Sequence, residues 1–358
     1  MPSIVTPDFS ALIEPVSRDA LRAFRREGDR AVDIGVLVVA CLFAALFAVV
    51  VSVGVSVVIG GMLDTTLGAP GRPIGVALGI VLGLGFGALI VYGTIAHQRI
   101  TALRRFRMTA FARANGLALI DEQRNPDYAG AIFHTGSSRE AYDCLRAVDG
   151  GLEIGGYRYT TGSGKNQTRH HWGYLSMRIE RALPHMVLDA KANNGLFGST
   201  NLPESFARDQ VLHLEGDFDR HFTLYCPSDY ERDALYIFTP DLMALLIDDA
   251  SAFDVEVVDD RLFAYYSGRI DTADPLTVRR LFAIATTVGA KTLDRAERYH
   301  DDRAGTSASA FGASDPARPA HPSMIAPQGR RLRQRVNVTG LVIGIVVVAA
   351  WAWMSFAR

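Results

Sequence analysis

Histidines and carboxylates that could bind a metal ion occur together in the middle of the sequence. His170 and His171 precede one predicted strand, and His185 and Asp189 lie four residues apart in another. Residues four apart on a strand share a face, and imidazole and carboxylate groups are ligands of zinc and similar ions. This stretch is a candidate metal site. The alternative is a pair of exposed loop histidines with a surface carboxylate.

A second candidate is a run of alternating carboxylates, Glu215, Asp217 and Asp219. In an extended segment they project to one side, and an Asp-x-Asp pair can hold a divalent cation. The run is not an EF-hand loop, because the sixth position from Glu215 is Arg220 and the twelfth is Cys226. A solvated turn ahead of a strand is the alternative.

Nucleotide and thiol chemistry find less support. Residues 162–165 match the end of a phosphate-binding loop, but Tyr159 stands where the first glycine is required and Asn166 where Ser or Thr is required. Cys144 and Cys226 have no neighbouring residues typical of a catalytic thiol. The sequence therefore predicts neither a cofactor nor a catalytic residue.

The elements around these residues are typical of an α+β domain with a mainly antiparallel sheet. The predicted strands are 152–160, 172–181, 185–189, 221–225, and a hairpin of 253–258 and 261–266 across Asp259-Asp260. The predicted helices are 99–115 with Gly116 as its stop, one opened by Thr239-Pro240 and ending near Asp249, and one opened by Asp274-Pro275 and ending near Tyr299.

Three uncharged runs are each long enough to cross a bilayer, which takes about 20 apolar residues. They predict transmembrane α-helices at 34–63, 73–96 and 336–357. The first two form a helical hairpin over 34–96, and the third is a C-terminal anchor. A buried helix in a soluble core fits such long uncharged runs poorly.

Arginines predict the orientation of these spans in the plasma membrane, since positive charge concentrates on the cytosolic side. They cluster before the first span, after the second and before the third, whereas the turn between the first two carries only Arg72. We therefore expect a cytosolic N-terminal segment over 1–33, a cytosolic domain over 97–303 and an outer C-terminus. Residues 304–335 read as a flexible linker followed by an arginine collar.

Small residues repeat at every fourth position of the first two spans. The repeat in the first span is Ala40, Ala44, Ala48, Ser52, Ser56 and Gly60, and in the second it is Gly75, Gly79, Gly83 and Gly87. Small side chains on one helix face allow two backbones to approach closely. We interpret them as the two packing ridges of the hairpin; formation of a homo-oligomer through one ridge is the alternative.

The distribution of charge argues against two classes of function. No Asp, Glu, Lys, Arg or His lies within the predicted spans, which argues against ion-coupled transport. Residues 115–303 contain 30 acidic and 20 basic residues, and a domain of that sign repels nucleic acid. The expected partners are therefore the lipid bilayer and other membrane or cytosolic proteins.

Part of the domain resembles a known group. Residues 215–225 read EGDFDRHFTLY and residues 235–243 read LYIFTPDLM, a strand followed by a helix opened by Thr-Pro. This stretch, within residues 214–263, resembles an uncharacterised bacterial family of membrane-anchored proteins, the domain-of-unknown-function 3137 group. The resemblance covers about a third of the chain and implies an anchored cytosolic domain, without an activity or site residues.

The sequence thus favours a membrane protein whose cytosolic domain is a non-catalytic scaffold or partner-binding module. The alternative is a membrane-anchored, metal-assisted hydrolase or transferase that would use His171, His185, Asp217 or Asp219. In that case these side chains must converge on one point in a cleft.

Overall fold

The chain forms two compact units. The computed structural model describes residues 7–27, 30–67, 71–195, 200–301, 303 and 325–334. A helical unit covers residues 10–111, and a domain takes in the described residues before Ser10 and after Phe111. Residues 304–324 of the predicted linker, and the predicted third span over 336–357, lie outside the described residues.

Helices account for all of the helical unit's regular structure and for part of the domain's. They are α1 (Ser10–Ile13), α2 (Arg18–Glu27), α3 (Arg30–Leu67), α4 (Gly71–Ala114), α5 (Phe218–His221), α6 (Glu231–Ile237), α7 (Pro240–Ala250), α8 (Pro275–Ile284) and α9 (Ala290–Arg298). A π-helical segment, Ala285–Gly289, joins α8 to α9. Helices α3 and α4 are each long and apolar enough to cross a membrane by length and composition.

Small residues of α3 face the glycines of α4 inside the helical unit. A Cβ added at Gly79 would lie 2.5 Å from the Ser52 carbonyl oxygen, and the Ser52 hydroxyl donates to the Gly79 carbonyl at 3.0 Å. At Gly85, off this face, a Cβ would meet nothing within 4 Å. The facing sets are Gly60 with Gly75, Ser52 and Ser56 with Gly79, Ala48 and Ser52 with Gly83, and Ala44 and Ala48 with Gly87. Glycine thus sets how closely the two backbones approach.

The domain is α+β, with an antiparallel sheet. Its strands are β1 (Leu117–Arg124), β2 (Ser137–Ala147), β3 (Leu152–Thr161), β4 (Thr168–Ala190), β5 (Val211–Leu212), β6 (Phe222–Tyr225) and β7 (Asp254–Ser267). The order along the sheet is β1-β2-β3-β4-β6-β5, and β7 pairs with β4. Strand β4 is therefore the centre of the sheet, and its neighbours position most of the polar residues considered below.

Both faces of β4 are covered. On one face the loop between β1 and β2 places Phe133 against the rings of Tyr157 and Tyr174, with centroid separations of 4.8 and 5.2 Å. On the other face Gly289, in the π-helical segment, lies against the sulfur of Met177. Tyr174 and Met177 alternate along the strand and therefore point to opposite faces. This double burial explains why β4 is apolar on both sides.

Two predicted strand boundaries are wrong. The predicted strands 172–181 and 185–189 are parts of the single strand β4, and the predicted hairpin 253–266 is the single strand β7. Asp259 adopts a left-handed conformation (φ 53°) and pairs with Leu183, where the register between the two strands shifts. The expected turn is thus a bulge at which both strands continue, since an aspartate tolerates positive φ and a bulge needs only one such residue.

Other local predictions agree with the observed elements. Helix α4 ends at Ala114, and Gly116 takes φ 64°, a value that suits glycine at a helix stop. Helix α7 begins at Pro240, and the Asp274 side chain caps α8 by accepting from the Thr277 N–H. Strands β1 and β2 were not predicted. Charged and half-exposed residues run through both, so neither carries the alternation that marks a strand.

Candidate functional site

His171 lies near the start of β4, and its neighbours are not those of His185. Its Nε2 is 3.4 Å from a guanidinium nitrogen of Arg269, and burial together with Arg269 and Arg158 lowers its pKa below 6.5. Its neighbour His170 stacks on Tyr159 at 4.8 Å. His171 and His185 are fourteen positions apart on one strand, or roughly 45 Å at 3.3 Å per residue, which is too far to share an ion.

His185 belongs to a buried network that spans three parts of the domain. Its Nδ1 accepts the Leu332 backbone N–H at 2.9 Å, and its Nε2 lies 2.8 Å from Glu256 Oε1. Because Nδ1 accepts, the ring proton must be on Nε2, which donates to the carboxylate. The other oxygen of Glu256 accepts from the Ala131 N–H at 2.8 Å and the Tyr265 hydroxyl at 2.6 Å. Both ring nitrogens are therefore used, and neither is open to a metal ion.

The alternating carboxylates do not form a cation site of their own. Asp217 is exposed and stands immediately before the short helix α5, without capping it through its side chain. Asp219 accepts from the Leu214 N–H at 3.3 Å and pairs with His213 at 2.7 Å. These contacts fit the turn that was the alternative at this position.

Asp189 lies with a set of polar residues where β4 ends and β7 begins. It is 4% exposed, and one of its oxygens accepts from the Thr200 hydroxyl at 3.1 Å. Asp254 on β7 is fully buried; it accepts from the Ala190 N–H at 2.8 Å and the Asn193 amide at 3.1 Å. The acidic–amide cluster is the set Asp189, Asn193, Asn194, Thr200, Asn201 and Asp254.

The two carboxylates of this cluster resist ionisation. Burial raises the pKa of Asp254 to about 7; the hydrogen bond from Ala190 opposes this rise, and the charge of Asp189 adds to it. Burial also raises the pKa of Asp189, against the hydrogen bond from Thr200. Of the ion pairs among described residues, none joins an arginine or lysine to either carboxylate. The cluster therefore places two carboxyl groups in the interior without a cationic side chain beside them, and burial favours their neutral forms.

Residues 325–334 form a C-terminal strap that lies on the domain. Ile325, Ala326 and Leu332 are buried, although the prediction placed 304–335 in a flexible linker and arginine collar. The Arg333 N–H donates to Gln210 Oε1 at 2.9 Å, and the Arg333 carbonyl accepts from the Gln210 amide at 2.9 Å. Apolar side chains and backbone hydrogen bonds therefore fix this stretch to the domain.

The arginines of the strap contact domain carboxylates. Arg331 makes two bonds to Asp259, at 2.7 and 2.8 Å, and Arg333 lies 2.5 Å from Asp209. The left-handed bulge at Asp259 thus presents its side chain to the strap. Part of the expected arginine collar is engaged within the chain.

The strap begins where helix α9 leaves off. The carboxylate of Asp301 accepts from the Ala326 N–H at 2.9 Å and from the Tyr230 hydroxyl at 2.8 Å. Arg303 stacks over the Tyr230 ring at 4.4 Å. Asp301 and the first residues of the strap therefore lie against each other on the domain.

The polar residues described above offer few side chains that could act in catalysis. The described residues contain no group of three or more His, Cys, Asp or Glu arranged to hold a metal ion. Burial raises the pKa of both Cys144 and Cys226 to about 12, so neither thiol is ionised near neutral pH. His171, His185, Asp217 and Asp219 each have separate partners and do not converge.

Sequence reasoning missed the buried carboxylates of β7, although a signal was present. Asp254 and Glu256 alternate with Val255 and Val257 in a strand that was identified. An acidic residue on an otherwise apolar strand is either on the solvent face or buried with partners. Only the covering of both faces places these two side chains inside.

Comparisons with known proteins add little. No family model and no curated protein matches the chain, so the resemblance to the domain-of-unknown-function 3137 group stays a prediction. One solved structure, the crystal structure of the mycobacterial trehalose monomycolate transport factor A, TtfA, is similar with 10% sequence identity and a TM-score of 0.33. The likeness covers 51% of this chain and 93% of that one. A likeness of this degree establishes neither a shared fold nor a shared function.

Proposed function

We propose that this is an integral membrane protein that presents its α+β domain as a scaffold for another protein. The observation that carries the proposal is the outward surface of α3 and α4. Val39, Leu42 and Leu84 are 66%, 67% and 65% exposed, and they belong to long apolar faces of both helices. So large an apolar surface is unfavourable in water and suits the hydrocarbon of a bilayer.

The proposed topology has three spans, with the N-terminus and the domain in the cytosol. Arginines on the two sides of the helical hairpin support this orientation, as does the single Arg72 in the turn between its helices. The docked strap adds a constraint to the third span. Gln334 bridges to Phe206, and only Arg335 separates it from the predicted start of that span. The predicted third span therefore follows the strap after a single residue of the sequence.

Interaction rather than catalysis is supported by the way the domain uses its polar groups. The Glu256 network and the strap contacts join separate segments to each other, and the residues of the metal-enzyme alternative do not converge. Leu235 and Tyr236 of α6 are exposed neighbours, at 53% and 41%, within the domain. They are the surface at which we expect a partner to bind.

Cysteine labelling tests the anchoring and orientation. Arg72→Cys and Lys165→Cys each place a thiol at an exposed position, and the native cysteines are inside α3 or buried in the domain. We expect a membrane-impermeant maleimide to label Arg72→Cys in intact cells and Lys165→Cys only after permeabilisation, with the unmodified chain as control. Labelling of Lys165→Cys in intact cells would contradict the proposed topology.

Crosslinking tests the scaffold role in the same membranes. A photoreactive residue at position 235 should give a discrete adduct with one other protein, and one at position 165, on an exposed turn, should not. Equal adducts at both positions, or adducts with lipid alone, would count against a partner surface on α6.

A further inference from the structure

A row of cationic side chains crosses one face of the sheet where β3, β4 and the end of β7 lie side by side. Arg158 of β3 pairs with His171 of β4, and the His171 carbonyl accepts from the Gly268 N–H just after β7. Paired residues on neighbouring strands project to the same face of a sheet, and so do residues two apart on one strand. Arg169 therefore shares this face with Arg158 and His171. The cationic row is the set Arg158, Arg169, His171 and Arg269.

The side chains of the cationic row converge on His171. A guanidinium nitrogen of Arg269 lies 3.4 Å from His171 Nε2. The guanidinium of Arg158 lies over the Tyr142 ring at 5.2 Å, and that ring stands nearly perpendicular to the His171 ring at a centroid separation of 6.5 Å. Burial lowers the pKa of His171, and the charges of Arg269, Arg158 and Arg169 lower it further, so all three arginines act on one imidazole.

Two paired glycines hold this arrangement against the sheet. Gly156 and Gly173 stand opposite each other on β3 and β4. A Cβ added at Gly156 would collide with the Tyr142 ring, and one added at Gly173 would collide with Ile270. The ring and Ile270 can therefore lie directly on the backbone, and Ile270 positions its neighbour Arg269.

His171 carries an N–H that lacks an acceptor. A guanidinium only donates hydrogen bonds, so Nε2 accepts from Arg269 and the proton of the neutral ring is on Nδ1. Nδ1 is buried and has no hydrogen-bond partner among the described residues. Since a buried donor nearly always has an acceptor in a folded protein, the missing partner is an acceptor, and the arginines favour one with negative charge.

The charge of the cationic row selects the kind of anion. Arg158 pairs with Glu140, but no ion pair of the described residues involves Arg169 or Arg269, and both side chains are exposed. A carboxylate would neutralise only one of these two arginines. A phosphate group carries a charge of about −1.5 to −2 near neutral pH and accepts paired hydrogen bonds from guanidinium groups.

We propose that the cationic row binds a phosphate group. Arg169 and Arg269 neutralise it, and Arg158 and the Nδ1–H of His171 supply further donors. The phosphate group belongs either to a small soluble molecule or to a lipid headgroup, since the same donors recognise both. This site is separate from the partner surface on α6, and it does not depend on the scaffold role.

Phosphate titration of the full chain in detergent tests the proposal, with sodium chloride adjusted to keep the ionic strength constant. We expect saturable binding of inorganic phosphate by calorimetry and a rise in the midpoint of thermal unfolding. Arg169→Gln and Arg269→Gln should each weaken binding by about tenfold or more, because a hydrogen bond to a charged group is lost. Arg178→Gln changes an exposed arginine on the opposite face of β4 and should bind phosphate as the unmodified chain does.

A second titration, with phosphatidic acid in mixed micelles, distinguishes the two sources. Tighter binding of this lipid than of inorganic phosphate, weakened in Arg269→Gln, assigns the phosphate to a headgroup; binding no tighter than that of inorganic phosphate assigns it to a soluble molecule. Both variants of the row change exposed side chains, and unfolding midpoints without ligand show that they fold. The proposal is overturned if neither probe gives a saturable response below about 10 mM. It is equally overturned if binding survives in both variants, or if Arg178→Gln loses as much affinity as they do.

Discussion

The contacts inside the helical unit differ in kind from the contacts inside the α+β domain. Helices α3 and α4 meet through glycines and small residues, with one serine hydroxyl donating to a glycine carbonyl. The domain places charged groups inside and satisfies them with each other, as Glu256 does with His185, Tyr265 and the Ala131 N–H. The packing of α3 against α4 depends on the absence of side chains at the glycines. The buried network of the domain depends on the presence of every hydrogen-bond donor and acceptor.

The two kinds of contact therefore fail differently. A glycine ridge is damaged by an added methyl group, because the facing backbone cannot move aside without loss of packing. A buried polar network is damaged by a removed group, because the remaining donors lose their acceptor in a medium that cannot replace it. Substitutions in the two units should separate these effects.

The largest expected effect is on the buried network. Glu256→Ala removes the acceptor of His185, Tyr265 and the Ala131 N–H together, and we expect a loss of about 3–5 kcal/mol in the free energy of unfolding. Thermal and denaturant unfolding of the full chain in detergent measures it. Glu215→Ala, at an exposed acidic position, should change stability by less than about 0.5 kcal/mol. Equal losses for both variants would show that the network does not stabilise the domain.

The helix ridge should be sensitive to a single methyl group. Gly79→Ala places a Cβ against the Ser52 carbonyl oxygen and should destabilise the helical unit by about 1–3 kcal/mol. Gly85→Ala is the matched control, since nothing lies within 4 Å of its Cβ, and alanine there should be neutral or stabilising. Thermal and denaturant unfolding of both variants in detergent measures the difference. A Gly79→Ala protein as stable as Gly85→Ala would contradict the close approach of α3 and α4 at Gly79.

The attachment of the strap should depend on His185. His185→Phe leaves the Leu332 N–H without its acceptor and Glu256 Oε1 without the His185 donor, at a cost of about 1–3 kcal/mol. Hydrogen exchange should then accelerate at Leu332 by about 5- to 150-fold, while β2 and β3 keep their protection. His213→Phe, at an exposed histidine, is the control and should leave exchange at Leu332 unchanged. Unaltered protection in His185→Phe would mean that the other strap contacts suffice.

The smallest effect concerns pH at the beginning of the strap. Burial opposes ionisation of Asp301, but hydrogen bonds from Ala326 and Tyr230 outweigh it and hold its pKa below the ordinary 3.8. A lowered pKa gives stability that is present above pH 3.8 and is lost as the pH falls through the folded value. Exchange of the Ala326 amide, corrected for the intrinsic rate, should therefore increase below pH 3.8. Asp301→Asn should flatten that dependence; a dependence unchanged in this variant would assign it to another group.

Local patterns predicted much of the fold because they act over a few residues. The uncharged runs, the four-residue repeat of small residues, the stop at Gly116 and the proline-opened helices all follow from helix geometry and capping. The α+β class and the antiparallel sheet followed from strand composition. What failed were boundaries decided by pairing: Asp259-Asp260 reads locally as a turn, yet β4 lies alongside and holds it as a bulge.

The candidate sites depended on the tertiary structure for a further reason. The spacing of His185 and Asp189 indicated one metal site, but the fold separates them: His185 joins Glu256 and the strap, and Asp189 joins Asp254 and three asparagines. Those partners lie about 65 to 150 positions away along the chain in some cases, as with His185 and Leu332 at 147. No local pattern records such distances.

The sequence by itself determined which residues are apolar, which are small and where the chain can turn, since these are properties of neighbouring side chains. Only the tertiary structure decided which carboxylates are buried, which histidine nitrogens remain open and whether residues 325–334 are free or docked. Burial and hydrogen-bond partners are set by segments distant in the chain, and the free energy of a charged group depends on those surroundings more than on its own identity.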